Sequence, residues 1–221
     1  MTSDLKIVEF FTSIQGESSF SGLPCHFVRL AGCNLSCNFC DTMYANNLSE
    51  SEINILKITT LTEYVMGSRV KLVEFTGGEP LLQLDRVVRA CRELVNFATV
   101  LIETNGSVSI KEFKTAPKNL VIIMDCKTPS SGMQDKMFWA NFMHLRPTDE
   151  IKFVVGNHED FLYAKSIVED FELEERKVIV SPIYQQINLE ELADWILTSA
   201  PFFRLQVQLH KIIWGPTKRG V

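Results

Sequence analysis

Seven short runs of apolar and β-branched residues, at 25–30, 70–75, 99–103, 120–124, 151–155, 178–180 and 205–209, punctuate this chain and read as strands. Helix-period segments lie between several of them. Leu84, Val87, Val88, Cys91, Leu94 and Val95 share one helical face, as do Phe161, Ala164, Ile167, Val168 and Phe171, with Asn157 or His158 near a start. Repeated βα units imply a mainly parallel sheet, open or curled into a barrel. A full eight-unit barrel needs about 250 residues, and this chain has 221. The expectation is therefore an α/β fold, an incomplete TIM-like β/α barrel. Residues 1–221 contain no repeat, low-complexity tract or linker and read as one domain. The segment 45–60 reads as a loop with a short helix.

In such sheets function gathers at the C-terminal ends of the strands. Those ends are polar or glycine-rich here: Ala31-Gly32-Cys33, Thr76-Gly77-Gly78-Glu79-Pro80, Thr104-Asn105-Gly106, Asp125-Cys126-Lys127, Ser181-Pro182 and His210-Lys211. A net charge of −5 argues against a broad electrostatic grip on nucleic acid and favours a small-molecule substrate. No apolar run approaches the roughly 20 residues that span a bilayer, and the first residues lack a secretory pattern. A cytoplasmic protein is expected, and in that reducing compartment six cysteines point to metal or redox chemistry rather than disulfides.

Cys33, Cys37 and Cys40 form a CxxxCxxC motif in a polar loop that also carries Asn34, Ser36, Asn38 and Asp41. Three thiolates and no fourth suit a four-iron four-sulfur cluster with one iron left open to a small molecule. Structural zinc wants four ligands, and the nearby extras, Cys25 and His26, lie in a strand pattern with no second pair downstream. Cys91 lies on an apolar helix face and reads as core. Cys126 ends a strand beside the expected site.

Thr76-Gly77-Gly78-Glu79-Pro80 follows a buried-looking strand. Its adjacent glycines allow close approach to bare backbone, and Pro80 suits the first position of a helix. Together with CxxxCxxC and Phe39, this resembles the radical S-adenosylmethionine superfamily. That resemblance implies S-adenosylmethionine chelated to the open iron, one-electron cleavage of a carbon-sulfur bond and hydrogen abstraction by the resulting radical.

A narrower resemblance rests on Phe11 to Glu17 (FTSIQGE), Phe27 to Cys33 (FVRLAGC), Cys40-Asp41-Thr42, Glu103-Thr104-Asn105-Gly106, Lys127-Thr128-Pro129-Ser130-Ser131 and Gln208-Leu209-His210-Lys211. Together these are similar to the 7-carboxy-7-deazaguanine synthase family of the queuosine and deazapurine pathways. The family's reaction is a radical ring contraction of 6-carboxy-5,6,7,8-tetrahydropterin that loses ammonia and needs magnesium. The resemblance implies cluster ligation by Cys33, Cys37 and Cys40, and Mg2+ on Thr42. It implies cofactor contacts from Phe39, Asp41, Gly78, Asp125, Cys126 and Lys127, where Asp125 and Cys126 replace a Ser-Pro common in relatives. Substrate contacts are implied for Ile14, Gln15, Gly16, Glu17, Arg29, Thr76 and the terminal Val221. Glu17 can accept from the pterin's amino and ring N–H edge, and Arg29 presents a fork suited to its carboxylate. The family also implies a homodimer and an electron donor such as flavodoxin or ferredoxin. Two rival readings are a glycyl-radical-activating enzyme of the same superfamily and a non-catalytic zinc or iron-sulfur module.

Overall fold

The computed structural model describes residues 4–46 and 48–221. Its nine strands form one sheet in the order β3-β1-β2-β4-β5-β6-β7-β8-β9. The long β1 (Leu5–Ile14) runs antiparallel to both β2 (Pro24–Leu30) and the short β3 (Asn54–Leu56). From β2 onward every pairing is parallel, through β4 (Leu72–Gly77), β5 (Thr99–Thr104), β6 (Leu120–Asp125), β7 (Glu150–Val155), β8 (Lys177–Pro182) and β9 (Phe203–Leu205). Five helices accompany them: α1 (Ile58–Gly67), α2 (Leu84–Leu94), α3 (His158–Asp170), α4 (Leu189–Ser199) and α5 (Leu209–Trp214).

Side chains alternate along each strand and sort into two apolar layers. Val28, Leu30, Val73, Phe75, Val100, Ile102, Ile122, Phe153 and Val180 face outward, against Leu61 and Val65 of α1, Val87 and Leu94 of α2, Phe161 and Val168 of α3 and Leu192 of α4. Cys25, Phe27, Leu72, Leu101, Val121 and Ile123 point the other way and pack on Phe11 and Phe20 inside the curled sheet. Full burial of each such side chain contributes roughly 1.5–3 kcal/mol.

The curl is visible in one ion pair. Glu17, three residues past β1, meets Lys152 of β7 at 2.8 Å. Five strand steps separate β1 from β7, and at about 4.8 Å per step a flat sheet would hold them some 24 Å apart. The two edges of the sheet are joined through the turn after β1 rather than by a ladder. The Ser18 amide donates to Gln206 Oε1 (2.6 Å), Gln206 Nε2 donates to the Ser18 carbonyl (2.8 Å), the Ser19 amide donates to Glu150 Oε2 (3.0 Å), and the Leu209 amide donates to the Gly16 carbonyl (3.0 Å).

Several expectations are met closely and others shift. α3 begins at His158 under an Asn157 cap whose side chain accepts from the Asp160 amide, and α2 carries the anticipated apolar face. The last of the expected strands, β9, is Phe203–Leu205 rather than 205–209, because Gln206 and Gln208 turn their amides toward Ser18 and Glu17 and Leu209 opens α5. β1 has no counterpart among the expected strands: it is only half-buried, and Glu9 interrupts its apolar pattern. Within 45–60 the chain makes 3-10 turns and the short edge strand β3, and α1 starts at Ile58. The β5–β6 and β6–β7 crossovers contain 3-10 turns instead of α-helices; Pro117, Pro129 and Gly132 interrupt helix continuity there.

The Gly77-Gly78 pair brings the β4 end against the loop after β2. Gly77 has φ +128°, and a Cβ on Gly78 would collide with the carbonyl of Gly32. The Gly78 amide donates to Leu30 O (3.1 Å) and the Glu79 amide to Gly32 O (2.8 Å). The buried Glu79 carboxylate then accepts from the amides of Leu81 and Asn105 and from the Thr104 hydroxyl, clamping β4 to β5. The close approach thus serves packing of the cysteine loop. Gly78→Ala is expected to cost about 1–3 kcal/mol in urea unfolding. Gly67→Ala, where an added Cβ meets nothing within 4 Å, should cost nothing.

Candidate active site

A cavity of about 540 Å3 opens at the C-terminal ends of the parallel strands. It gathers Ile14, Gln15, Gly16 and Glu17 from the end of β1 and the turn after it, Arg29 from β2, Cys33, Cys37, Phe39, Cys40, Asp41 and Thr42 from the following loop, Thr76 from β4 and Gly78 just past it, Asp125 from β6 and Lys127 just past it, and Val221. Cys126 is the one expected residue placed elsewhere. Alternation at the end of β6 aims Asp125 into the cavity and Cys126 into the outer core, where it is fully buried.

The polar residues of the cysteine loop hold its shape. Asn34 Nδ2 donates to Ser107 Oγ (2.8 Å), and the Asn38 amide and side chain donate to the carbonyls of Ser131 and Ser130 (both 3.1 Å). Cys33 Sγ accepts from the Leu35 amide (3.4 Å) and from Asn105 Nδ2 (3.7 Å). Burial pushes the Cys37 and Cys40 thiols up, while Lys127 pulls both back toward the thiolate. All three sulfurs are free and half-buried. Among the described residues no three His, Cys, Asp or Glu side chains converge on a single ion. A four-iron four-sulfur cluster takes one thiolate on each of three irons, which suits a loop that offers three cysteines and no fourth.

Lys127 and Asp125 form a largely buried ion pair (2.8 Å) beside this loop. Asp125 Oδ1 is buried without a hydrogen-bond partner among the described residues, which is rare for a buried acceptor. Across the cavity the Thr42 hydroxyl donates to Asp41 Oδ1 (2.9 Å), which leaves the threonine's lone pairs outward. Asp41 also pairs with Lys211 of α5 (2.7 Å). Burial works against its charge, but Lys211 and the Thr42 hydrogen bond win and hold the carboxyl at about 2.

Arg29 pairs through Nε with Glu9 (2.7 Å), which also accepts from the Tyr44 hydroxyl (2.9 Å). Among the described residues its terminal nitrogens make no hydrogen bond, so the fork remains available to an anion. Burial, helped by Glu9, pushes the Tyr44 hydroxyl up to about 12. Residues 215–221 run along the cavity, with Arg219 stacked 3.8 Å above the Tyr44 ring. Gly16 is small where the His210 ring packs against it.

Three functional candidates escaped the sequence reading: Glu74, Glu103 and Lys152, each a charge set within an apolar strand run. That mismatch is the signal that could have found them, since an ionised group between buried neighbours needs a partner or a task. Lys152 is 4 % exposed. It bonds Glu17 Oε2 at 2.8 Å, contacts Glu103 more closely still, and lies 3.9 Å from Asp125. Burial opposes its charge, but these carboxylates hold its pKa well above the ordinary value. Burial likewise opposes the charge on Glu17, yet Lys152 keeps its carboxyl below the usual range, with Gln208 donating to its other oxygen (2.9 Å). Gln15 is held at both ends of its amide: its Nε2 donates to Glu74 Oε2 and its Oε1 accepts from the Glu17 amide (3.1 Å). The Thr76 hydroxyl donates to Glu103 Oε2 (3.0 Å).

Residues 28–142 match the model of the Radical SAM superfamily. The 7-carboxy-7-deazaguanine synthase of Clostridium acetobutylicum is 41% identical over 98% of this chain and 99% of its own. That of Chlorobaculum tepidum is 40% identical, over 98% and 97%. Among solved structures, QueE from Escherichia coli superposes with a TM-score of 0.73 at 22% identity, covering 95% of this chain and 96% of that one. Streptococcus suis SuiB bound to S-adenosylmethionine superposes with a TM-score of 0.55 at 16% identity, over 80% and 48%, and shares the fold alone.

The carboxylate cluster has a measurable consequence for stability. Burial pushes Glu74 well above its ordinary 4.5; Glu103 and Glu17 push the same way and Lys152 opposes. The native state then keeps a proton that the unfolded chain releases above pH 4.5. Stability therefore falls as pH rises from there, until native Glu74 ionises. Glu74→Gln removes this liability. In urea unfolding, its stability relative to wild type is expected to grow as pH rises toward neutrality; a pH-independent difference would contradict the assignment.

Proposed function

The chain belongs to the 7-carboxy-7-deazaguanine synthase family of the radical S-adenosylmethionine superfamily, and from that membership we propose how its cavity performs the family's reaction. The substrate is 6-carboxy-5,6,7,8-tetrahydropterin, the product is 7-carboxy-7-deazaguanine, and ammonia leaves, so the enzyme is a lyase. The single observation that carries the reading is that the cysteine loop, the unfilled fork of Arg29 and the ionised Glu17 line one cavity.

Cys33, Cys37 and Cys40 would hold a four-iron four-sulfur cluster, and Phe39, Asp41, Gly78, Asp125 and Lys127 would hold S-adenosylmethionine against it. When bound, this pair supplies one electron and the hydrogen-atom abstraction that starts the ring contraction. The protein's own residues bind and orient. Arg29 takes the pterin carboxylate on its terminal N–H groups, in the bidentate geometry that guanidinium and carboxylate share. Glu17, held ionised and aimed by Lys152 and Gln208, accepts from the amino and ring N–H edge. Gln15 acts through Glu17, whose amide it holds, and the Ile14-to-Gly16 backbone passes close to the same edge.

Thr42 would hold Mg2+: its hydroxyl donates to Asp41, so its lone pairs would be free for a hard cation that keeps water and substrate ligands. Thr76 borders the substrate with its hydroxyl fixed on Glu103. Residues 215–221 line the same cavity and exclude water from its substrate side, with Val221 among the residues that border the substrate. A 540 Å3 cavity with this polar lining suits a small molecule. That favours a pterin over the protein substrate that a glycyl-radical-activating enzyme would dock.

The same reading takes residues 1–221 as a single radical SAM domain working as a homodimer, reduced by flavodoxin or ferredoxin, in the cytoplasm. Continuity of one sheet supports the first point. Among the described residues no helix is long and apolar enough to cross a membrane.

Anaerobic reconstitution should yield a coloured protein with about four irons per chain. With S-adenosylmethionine, reductant, Mg2+ and the carboxypterin, it should release 5′-deoxyadenosine and the deazaguanine. 5′-Deoxyadenosine without the deazaguanine would refute the substrate, and a colourless protein with one zinc would refute the enzyme. Thr42→Ala should weaken the response to Mg2+ while leaving iron content intact; equal loss of both would remove Thr42 from the metal site.

A further inference from the structure

Glu74 has no substrate, cofactor or metal contact among those assigned above, and its surroundings specify its state. It lies in the middle of β4, 3 % exposed and bordering the cavity. Facing it are Glu103 from β5, Lys152 from β7 and Glu17 from the turn after β1, with the Cys25 thiol of β2 beside its backbone. Lys152 makes its ion pairs with Glu17 and Glu103 and approaches Asp125, which Lys127 already neutralises. It makes none with Glu74. Three carboxylates therefore share one ammonium, and the third cannot ionise in this buried setting without an uncompensated charge. Hydrogen bonding agrees with that split. Glu74 Oε2 accepts from Gln15, and among the described residues Oε1 has no partner. A proton on Oε1 turns that oxygen into a donor toward the cavity.

We infer that Glu74 works as a neutral carboxylic acid and is a specificity-determining residue, donating a hydrogen bond to the carbonyl of a 2-amino-4-oxopyrimidine edge whose N–H donors go to Glu17. The inference deepens the pterin reading and rests on it. Such an edge shows two donors followed by an acceptor. Glu17 and Glu74, linked through the Gln15 amide, offer acceptors followed by a donor. Burial and the two neighbouring glutamates favour the protonated form, outweighing Lys152. A ring with an amino group in place of the carbonyl would set donor against donor, and a site built this way rejects it strongly.

The test compares Glu74→Gln with Glu74→Leu in steady-state kinetics of the reconstituted enzyme. Glutamine keeps a neutral donor of the same shape, so KM for the carboxypterin should change less than about threefold; leucine should raise it about tenfold or more, with KM for S-adenosylmethionine unmoved in both. The wild-type pH profile of kcat/KM for the pterin should show an alkaline limb that Glu74→Gln lacks. Equal failure of both variants, a leucine variant that matches wild type, or an alkaline limb retained in Glu74→Gln would overturn the inference. Infrared difference spectroscopy supplies a readout free of turnover: a protonated-carboxyl band present in wild type and absent in Glu74→Gln is expected, and its absence from wild type overturns the inference. Should wild type fail to turn over the pterin at all, the substrate reading falls, while the infrared band still decides the protonation of Glu74.

Discussion

One ammonium group inside the curled sheet, Nζ of Lys152, is the constraint on which the rest of this site depends. Buried without partners it would cost several kcal/mol. Its partners come from the turn after β1 and from β5, with a more distant contact to β6. Satisfying Lys152 therefore draws the turn after β1 across the open side of the barrel, and the links from Ser18, Ser19 and Gly16 to Gln206, Glu150 and Leu209 complete that closure. The same contacts set the electrostatics of the pocket. Glu17 is fixed as an anion, and the charge available to Glu74 is used up.

The interior is thus split by depth. Cys25, Phe27, Leu72, Leu101, Val121 and Ile123 fill the lower part as an apolar plug. Two residues further along the same strands stand Arg29, Glu74, Glu103 and Asp125, lining the cavity. The strand ends above add the cysteine loop, docked through the bare backbone of Gly77 and Gly78 and pinned by Asn34 and Asn38. The cysteine loop stands on one wall of the cavity and the charged layer on the other, both held by the strand ends.

Much of this was legible in the sequence because it rests on local pattern. The parallel core strands appear as apolar runs, α2 and α3 as 3.6-residue periodicities, and the cluster loop as cysteine spacing in polar surroundings. β1 was hidden because its Glu9 meets its partners, Arg29 on the neighbouring strand and Tyr44 in the loop beyond it, only in the folded chain. The last strand was misplaced because the alternation Leu205, Val207, Leu209 mimics a strand, whereas the glutamines between them bond to a turn 188 and 191 residues earlier. Glu74, Glu103 and Lys152 belong to the same class. Each looks like an intruder in its own strand and becomes intelligible only when three strands face one another. Cys126 shows the converse, since adjacency to Asp125 in sequence places it on the opposite face.

In the proposed reaction the charged layer around Lys152 holds a carboxypterin opposite the cysteine loop. An anaerobic crystal structure with cluster, S-adenosylmethionine and 6-carboxy-5,6,7,8-tetrahydropterin tests it most directly. The account predicts the pterin carboxylate on the terminal nitrogens of Arg29, its amino edge on Glu17, and Lys152 still bridging Glu17 to Glu103. A pterin bound outside the cavity, or seated with its carboxylate away from Arg29 and its amino edge away from Glu17, would contradict it.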